Sequence, residues 1–367
     1  MILARGPICA RAYLRAWTPC VWLVLLLVLS GCVNHGHRTI VRDRFDYSGA
    51  IARSWQQQML LNLVRLRYLE PPIFLDVAQV VAQYTFEGNA SLNAPDWLGN
   101  PAGSAAGIGG RWAESPTITF DPMTGEKFTK SLLRPVSPAA LLSLVQVGWP
   151  IDALFSLGVR AINGLHAGSR TAMLRRTADP DFYKLLALLR DLQLSGSVGL
   201  RVHEEEDGSS GVLVFRRDKV GDESFATSHE VRRLLGLNPD ESEFTIEFGH
   251  TARSDTELAF LTRSMLEMLG EAAMGVDIPA RDLAEGRAVL APADMTAIAP
   301  PLVKVYASRH APSRGEASAA VLYRDNWFWV SDRDLRSKRG MGFLMVLFML
   351  AQTGTTVTPP VLTISKP

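Results

Sequence analysis

The last of three cysteines, Cys32, closes an apolar run in the stretch LVLLLVLSGCVNHG, residues 23–36, and its placement limits what can hold the chain together. Arg5, Arg11 and Arg15 precede the run, and no acidic residue occurs before Asp43. The run from Val21 to Leu29 has nine residues, whereas a helix needs ~20 to span a bilayer. A basic segment, a short apolar core and small residues behind it are the pattern of an export signal, which is removed. Cys9 and Cys20 leave with it, so Cys32 is the only cysteine expected in the mature chain. An exported chain could use disulfides, but none can form within this one. Its fold must rest on apolar burial, and 47% hydrophobic residues supply one large core or two smaller ones.

The tetrapeptide Leu29-Ser30-Gly31-Cys32 resembles the lipobox of bacterial lipoproteins. That resemblance implies a lipid on the Cys32 thiol and cleavage just before it. A thiol blocked in this way excludes thiol catalysis and cysteine-ligated metals. Each buried CH₂ of an acyl chain contributes about 0.8 kcal/mol, and one chain alone binds marginally. The resemblance implies two or three chains of the palmitate kind and hence a stable anchor. Val33 stands where Asp tends to retain lipoproteins in the inner membrane. The expected address is therefore the outer membrane, facing the periplasm, with the membrane as partner through Cys32. Basic and acidic residues number 38 and 37, and the signal removes three basic ones. A near-neutral chain has no electrostatic footprint for nucleic acid, which is not expected as a partner.

Along the chain, residues 32–45 read as the lipidated cysteine and a polar tether, which makes His35-Gly36-His37 a solvated stretch rather than a metal pair. Ser48 is the expected cap of a helix to Tyr68, with Ile51, Trp55, Met59, Leu63 and Leu66 on one face and Arg65 and Arg67 near its C-terminal end. Pro71-Pro72 stops it, and IFLDVAQVVAQYTFEG reads as strand. Residues 98–110, LGNPAGSAAGIGG, read as a loop that lacks the spacing of a phosphate cradle. TITFDPMTGEKF reads as a strand, a turn at Met123-Thr124-Gly125 and a return. Helices are expected after Ser137-Pro138, from Pro150 to Gly164, and from Asp179-Pro180 to Gly196. In the second half, SVGLRVHEE and GVLVFRR form a hairpin, SHEVRRLLGL a helix and FTIEFG a strand. Ser254 and Glu257 fit a capping box that opens a helix to Met274, with Leu258, Leu261, Met265, Met268 and Leu269 as its stripe. LVKVYAS, AAVLY and WFWV read as strands, the last two joined at Arg324-Asp325-Asn326. A helix from Asp332 to Gln352 and a strand PVLTI end the chain. The ten-residue apolar part of that helix is half a membrane span, so a buried core helix is expected.

Three segments, VRDRFDYSGAIARSWQQQMLLNLVRLRY, FDPMTGEKFTKSLLRPVSPAALLSLVQVGWP and WFWVSDRDLRSKRGMGFLMVLFMLAQTG, make up about a quarter of the chain. They resemble a family of uncharacterised bacterial lipoproteins. The resemblance implies a lipoprotein and lends no reaction, ligand or catalytic residue.

A search for chemistry finds no nucleophile elbow, and Gly208-Ser209-Ser210-Gly211 fits a flexible turn. His203-Glu204 and His229-Glu230 each lack the second histidine of a zinc hydrolase motif. Glu204, Glu205, Glu206 and Asp207 read as a solvated turn rather than a cation site. No catalytic residue, cofactor or metal site is assigned. The densest aromatic and charged segment is RDNWFWVSDRDLRSKRG, and Trp327, Trp329, Arg333 and Arg336 are its candidate partner surface, because exposed Trp and Arg anchor interfaces. The competing reading packs Trp327, Phe328 and Trp329 in a core, with Asp332/Arg336 and Asp334/Lys338 as helical ion pairs.

Helices cluster early and hairpins late, which predicts an α+β fold: a helix-rich part at 46–195 and a sheet-rich part at 196–367, separate or around a shared core. The expected function is that of a lipid-anchored envelope protein that binds or scaffolds an envelope protein or cell-wall component without catalysis. The alternative is a peptidoglycan-directed hydrolase, whose carboxylates would pair in space and not in sequence.

Overall fold

The first helix begins well before Ser48. The structure, a computed structural model, describes residues 36–81, 84–93, 105–169, 177–205, 208–216, 222–288 and 301–352. Helix α1 runs Gly36–Arg67, so the expected tether is helical from Gly36 onward. Ser48 lies inside it and donates its hydroxyl to the Phe45 carbonyl at 3.2 Å. No Gly or Pro falls between Gly36 and Gly49, so nothing in the backbone chemistry stops the helix there. Cys32, residues 98–104, Glu206-Asp207 and PVLTI lie outside the described residues.

The chain divides into two compact units, residues 1–54 and 55–367. In the second, α1 buries Met59, Leu60, Leu63 and Val64. Trp55, expected on the buried face, is exposed. Buried Asn62 bonds both the N–H and the carbonyl of Ile73, at 2.9 and 2.8 Å, and so seats the chain that leaves the Pro71-Pro72 stop. Strands β1 (Leu75–Val81) and β2 (Tyr84–Asn93) follow. Each pairs antiparallel with a later strand: β2 with β3 (Ala105–Glu114), and β1 with β4 (Thr117–Pro122). The Ala- and Gly-rich residues 105–110, expected in a loop, thus belong to a strand; the ladder uses backbone groups alone and does not require large side chains. After β4 the expected return strand is instead a short helix α2 (Gly125–Phe128) and a π-helical turn, Thr129–Leu133, which buries Leu132.

Helix α3 (Pro138–Gln146) starts as the sequence predicts, with the Ser137 hydroxyl accepting from the Ala140 N–H at 3.2 Å. Helix α4 (Ile151–Gly158) stops six residues before Gly164, and the chain continues as β5 (Val159–Ile162) and β6 (Leu165–His166). Asn163 and Gly164 have φ of 46° and 81°, the two left-handed residues of a tight hairpin turn. Helix α5 (Pro180–Ser195) ends on Gly196 at φ 69°. Its N-cap Asp179 makes no side-chain cap and accepts instead from the His166 N–H at 2.7 Å.

Strands β7 (Val198–Glu205) and β8 (Gly208–Phe215) form the expected hairpin, followed by α6 (Asp222–Leu235) and β9 (Glu243–Phe248). The helix expected from Ser254 is a strand and a helix. Glu257–Thr262 is β10, and α7 is Met265–Ala273, opened by a capping box of Ser264 and Glu267. Leu258, Ala259 and Phe260 are consecutive and all buried, so both faces of β10, a central strand between β9 and β5, are covered, and such a strand loses its alternation. The sheet order is β6-β5-β10-β9-β8-β7, antiparallel except for β9 against β10. It joins strands from before and after residue 195, and one core cluster runs from Met59 to Phe348.

After α8 (Ala280–Ala284), strands β11 (Tyr306–Ser308), β12 (Ala317–Tyr323) and β13 (Asn326–Ser331) form a second sheet in the order β11-β13-β12. Arg324 and Asp325, both at positive φ, make its tight turn. Helix α9 (Leu335–Ala351) buries Phe343, Leu344, Leu347 and Phe348 and is a core helix, and no described helix is long and apolar enough to cross a membrane. The fold is α+β.

Phe328 is fully buried, while Trp327 and Trp329 on the opposite face of β13 are half-buried. Phe328→Ala is expected to cost about 3–5 kcal/mol in urea unfolding. Trp327→Ala and Trp329→Ala are expected to cost less than half as much in the same measurement.

Candidate functional site

The start of helix α4 is bonded to a glutamine of the neighbouring helix. Gln193 of α5 accepts from the Ile151 N–H at 3.1 Å and donates to the Trp149 carbonyl at 2.8 Å, which occupies a free donor at the start of α4. Arg190 donates to the same Gln193 oxygen at 2.6 Å, and its Nε lies 3.8 Å from Asp152 Oδ1. Facing these two helices is α9. Its residues Arg336, Arg339, Gly340 and Phe343 recur at helical spacing and share one face. Between α4, α5 and α9 lies a cavity of about 650 Å³, in the range of small-molecule sites.

Its wall is apolar along Leu154, Leu157, Leu186, Leu302 and Phe343. The Trp149 and Phe343 rings meet at 5.1 Å. The polar lining comprises Asp152, Ser156, Tyr183, Arg190, Glu271, Arg336 and Arg339. Ser156 spends its hydroxyl on the Ala153 carbonyl, and Glu271 accepts from Ser169 at 2.7 Å. Among the described residues no histidine lines the cavity, and no group of three or more potential metal ligands occurs.

The start of α9 is fixed by a relay. Asp334, the N-cap, accepts from the Ser337 N–H at 3.1 Å and from its hydroxyl at 2.6 Å, and that hydroxyl accepts from the Lys304 N–H at 2.8 Å. The Ser337 hydrogen bonds hold the Asp334 carboxyl below the ordinary carboxylate range. This corrects the expected Asp334/Lys338 pair: Lys338 reaches Asp332 at 2.7 Å, since Asp334 is occupied by the cap.

The structure separates the four residues of the candidate partner surface. Trp327 and Trp329 lie on the outer face of the three-stranded sheet, where Trp329 stacks on Tyr306 at 5.8 Å. Arg333 is exposed ahead of α9, and Arg336 lines the cavity. Sequence reading found Arg336 but not its neighbours. The spacing of Arg336, Arg339 and Phe343 was the available signal, but which face α9 turns to α4 is a tertiary fact. His203 and Glu204 lie in β7, and Gly208-Ser209-Ser210-Gly211 opens β8.

Sequence reading also missed a second polar cluster. Tyr68, at the end of α1, donates to buried Asp282 of α8 at 2.5 Å, with Arg287 at 3.6 Å from that carboxylate. Burial, followed by this hydrogen bond, raises the Tyr68 hydroxyl above its ordinary pKa, which keeps it protonated as a donor. Arg324 covers the Tyr68 ring at 5.1 Å and pairs with Glu70 at 2.8 Å. The cluster ties α1, α8 and the β12–β13 turn together.

No protein family, curated protein or solved structure matches the chain. The cavity is read from its own chemistry.

Asp334→Ala is expected to cost about 0.5–2 kcal/mol, the usual loss for an N-cap. The folded pKa of Asp334 is depressed, so the cap's contribution is complete above the unfolded value of about 3.9. It is lost as pH falls through the lower folded value. Urea unfolding of parent and variant should therefore differ at pH 7 and converge in strong acid.

Proposed function

We propose that the chain is a lipid-anchored protein of the bacterial cell envelope, held at the outer membrane through Cys32 and facing the periplasm. In this reading it binds an envelope component without catalysis, and the cavity between α4, α5 and α9 is its binding site. The observation that carries the anchor is Leu29-Ser30-Gly31-Cys32 behind a short apolar core and a basic segment. What supports binding is a preformed, mostly apolar cavity in which the Ser156 hydroxyl is bonded to the backbone and Glu271 accepts from Ser169. The membrane is the partner through the lipid. A further envelope protein or cell-wall partner would meet Trp327 and Trp329.

A second reading, a peptidoglycan-directed hydrolase, is favoured by one observation: two carboxylates, Asp152 and Glu271, line the same cavity. Zymograms of the full chain on peptidoglycan separate the two. Under the binding reading no clearing appears, and Asp152→Asn and Glu271→Gln leave the result unchanged. Clearing that either variant abolishes would establish the hydrolase.

Cys32→Ser is expected to abolish incorporation of an alkyne-tagged fatty acid and to leave the precursor uncut. Equal labelling of parent and variant would remove the lipid anchor from the reading.

A further inference from the structure

The arginines at the cavity differ in how they are employed. Arg190 donates to Gln193 and has Asp152 as a counter-charge 3.8 Å away. Arg339 is exposed at the cavity, and among the described residues it forms no ion pair. Arg336 lines the cavity one turn earlier on the same face of α9. The capping relay of Asp334, Ser337 and Lys304 fixes this turn, so both guanidinium groups are carried by an anchored backbone. One turn further on, Phe343 faces the same space, opposite Leu157 and Leu186. Cationic groups therefore stand at one end of the α9 face and apolar groups at the other.

We infer that the cavity takes an anionic amphiphile, a molecule with a carboxylate or phosphate head and an apolar tail. This rests on the reading of the cavity as the binding site and names its ligand class. The head meets Arg339, whose planar donors suit carboxylate and phosphate oxygens. The tail lies along Leu157, Leu302 and Phe343, where burial supplies the affinity. A neutral amphiphile of the same tail gains the apolar contact but leaves the Arg339 guanidinium without a counter-charge. The volume, about 650 Å³, fits a small molecule and is too confined for a folded partner.

The test uses the full chain in its own membranes and three photoreactive probes with the same diazirine-bearing ten-carbon tail. One ends in a carboxylate, one in a phosphate monoester and one in an alcohol. Irradiation followed by peptide mapping should place the label of an anionic probe on peptides that carry Leu157, Leu302 or Phe343. The comparison of carboxylate with phosphate identifies the head group. Arg339→Ala should lower that label about tenfold, the loss of one charge-assisted contact. Arg339→Lys should restore part of it, and the melting temperature should not move because Arg339 is exposed. If Arg339→Ala fails to fold, Arg339→Gln serves as the neutral variant. Label from the alcohol equal to that from both anionic probes, or an unchanged label in the neutral variant, would overturn the anionic inference and leave the cavity as a binding site. Absence of cavity label from all three probes would overturn both.

Discussion

Two glycines let the chain at Leu302 and Val303 pass closer to its neighbours than any side chain would allow. A Cβ on Gly340 of α9 would lie 2.6 Å from the Leu302 carbonyl oxygen, and one on Gly275 would collide with the Val303 carbonyl. The segment is thus held from two sides, and the Gly275 carbonyl accepts from the Val305 N–H at 3.0 Å. Much depends on this approach. It seats α9 deeply enough for Phe343, Leu344 and Leu347 to enter the core. It also brings Lys304 to Ser337, which completes the cap of the same helix. The orientation of Arg336 and Arg339 follows, and Leu302 becomes part of the cavity wall.

The six-stranded sheet is the second element on which the molecule relies. Its β5–β6 hairpin comes from the helix-rich first half and pairs with β10 from the second. Buried Arg263, directly after β10, donates to the carbonyls of Ser156 and Leu157 at 2.9 and 3.0 Å and to that of Gly168 at 2.9 Å. A guanidinium is expensive to bury unless its donors are satisfied, and here the end of α4 supplies acceptors. The sheet and the cavity wall are therefore joined by hydrogen bonds as well as by apolar contact.

In the functional reading, anchor and cavity make complementary demands. An anchor at Cys32 would hold the chain at a surface rich in amphiphiles, and the cavity offers both an apolar wall and the exposed Arg339. The aromatic strand contributes differently from what its composition suggests. Phe328 belongs to the core, and Trp327 and Trp329 decorate the outer face of a small sheet.

Where the deciding group lies within a few residues, the sequence determined the outcome. Ser137-Pro138 begins a helix and Gly196 ends one, because a cap is a local hydrogen bond or a local backbone conformation. The α+β class followed from the same local signals. Other features needed the whole fold. Glu257–Thr262 reads as helix in the sequence yet is a strand, since its consecutive residues Leu258, Ala259 and Phe260 are all buried and a strand covered on both faces shows no alternation. Asn163-Gly164 was a hairpin signal hidden behind the apolar residues of α4. The cavity was unreadable for a related reason: its walls come from α4, α5 and α9, more than a hundred residues apart at the extremes. Sequence spacing records which residues share a face of one helix. Only packing decides what that face meets.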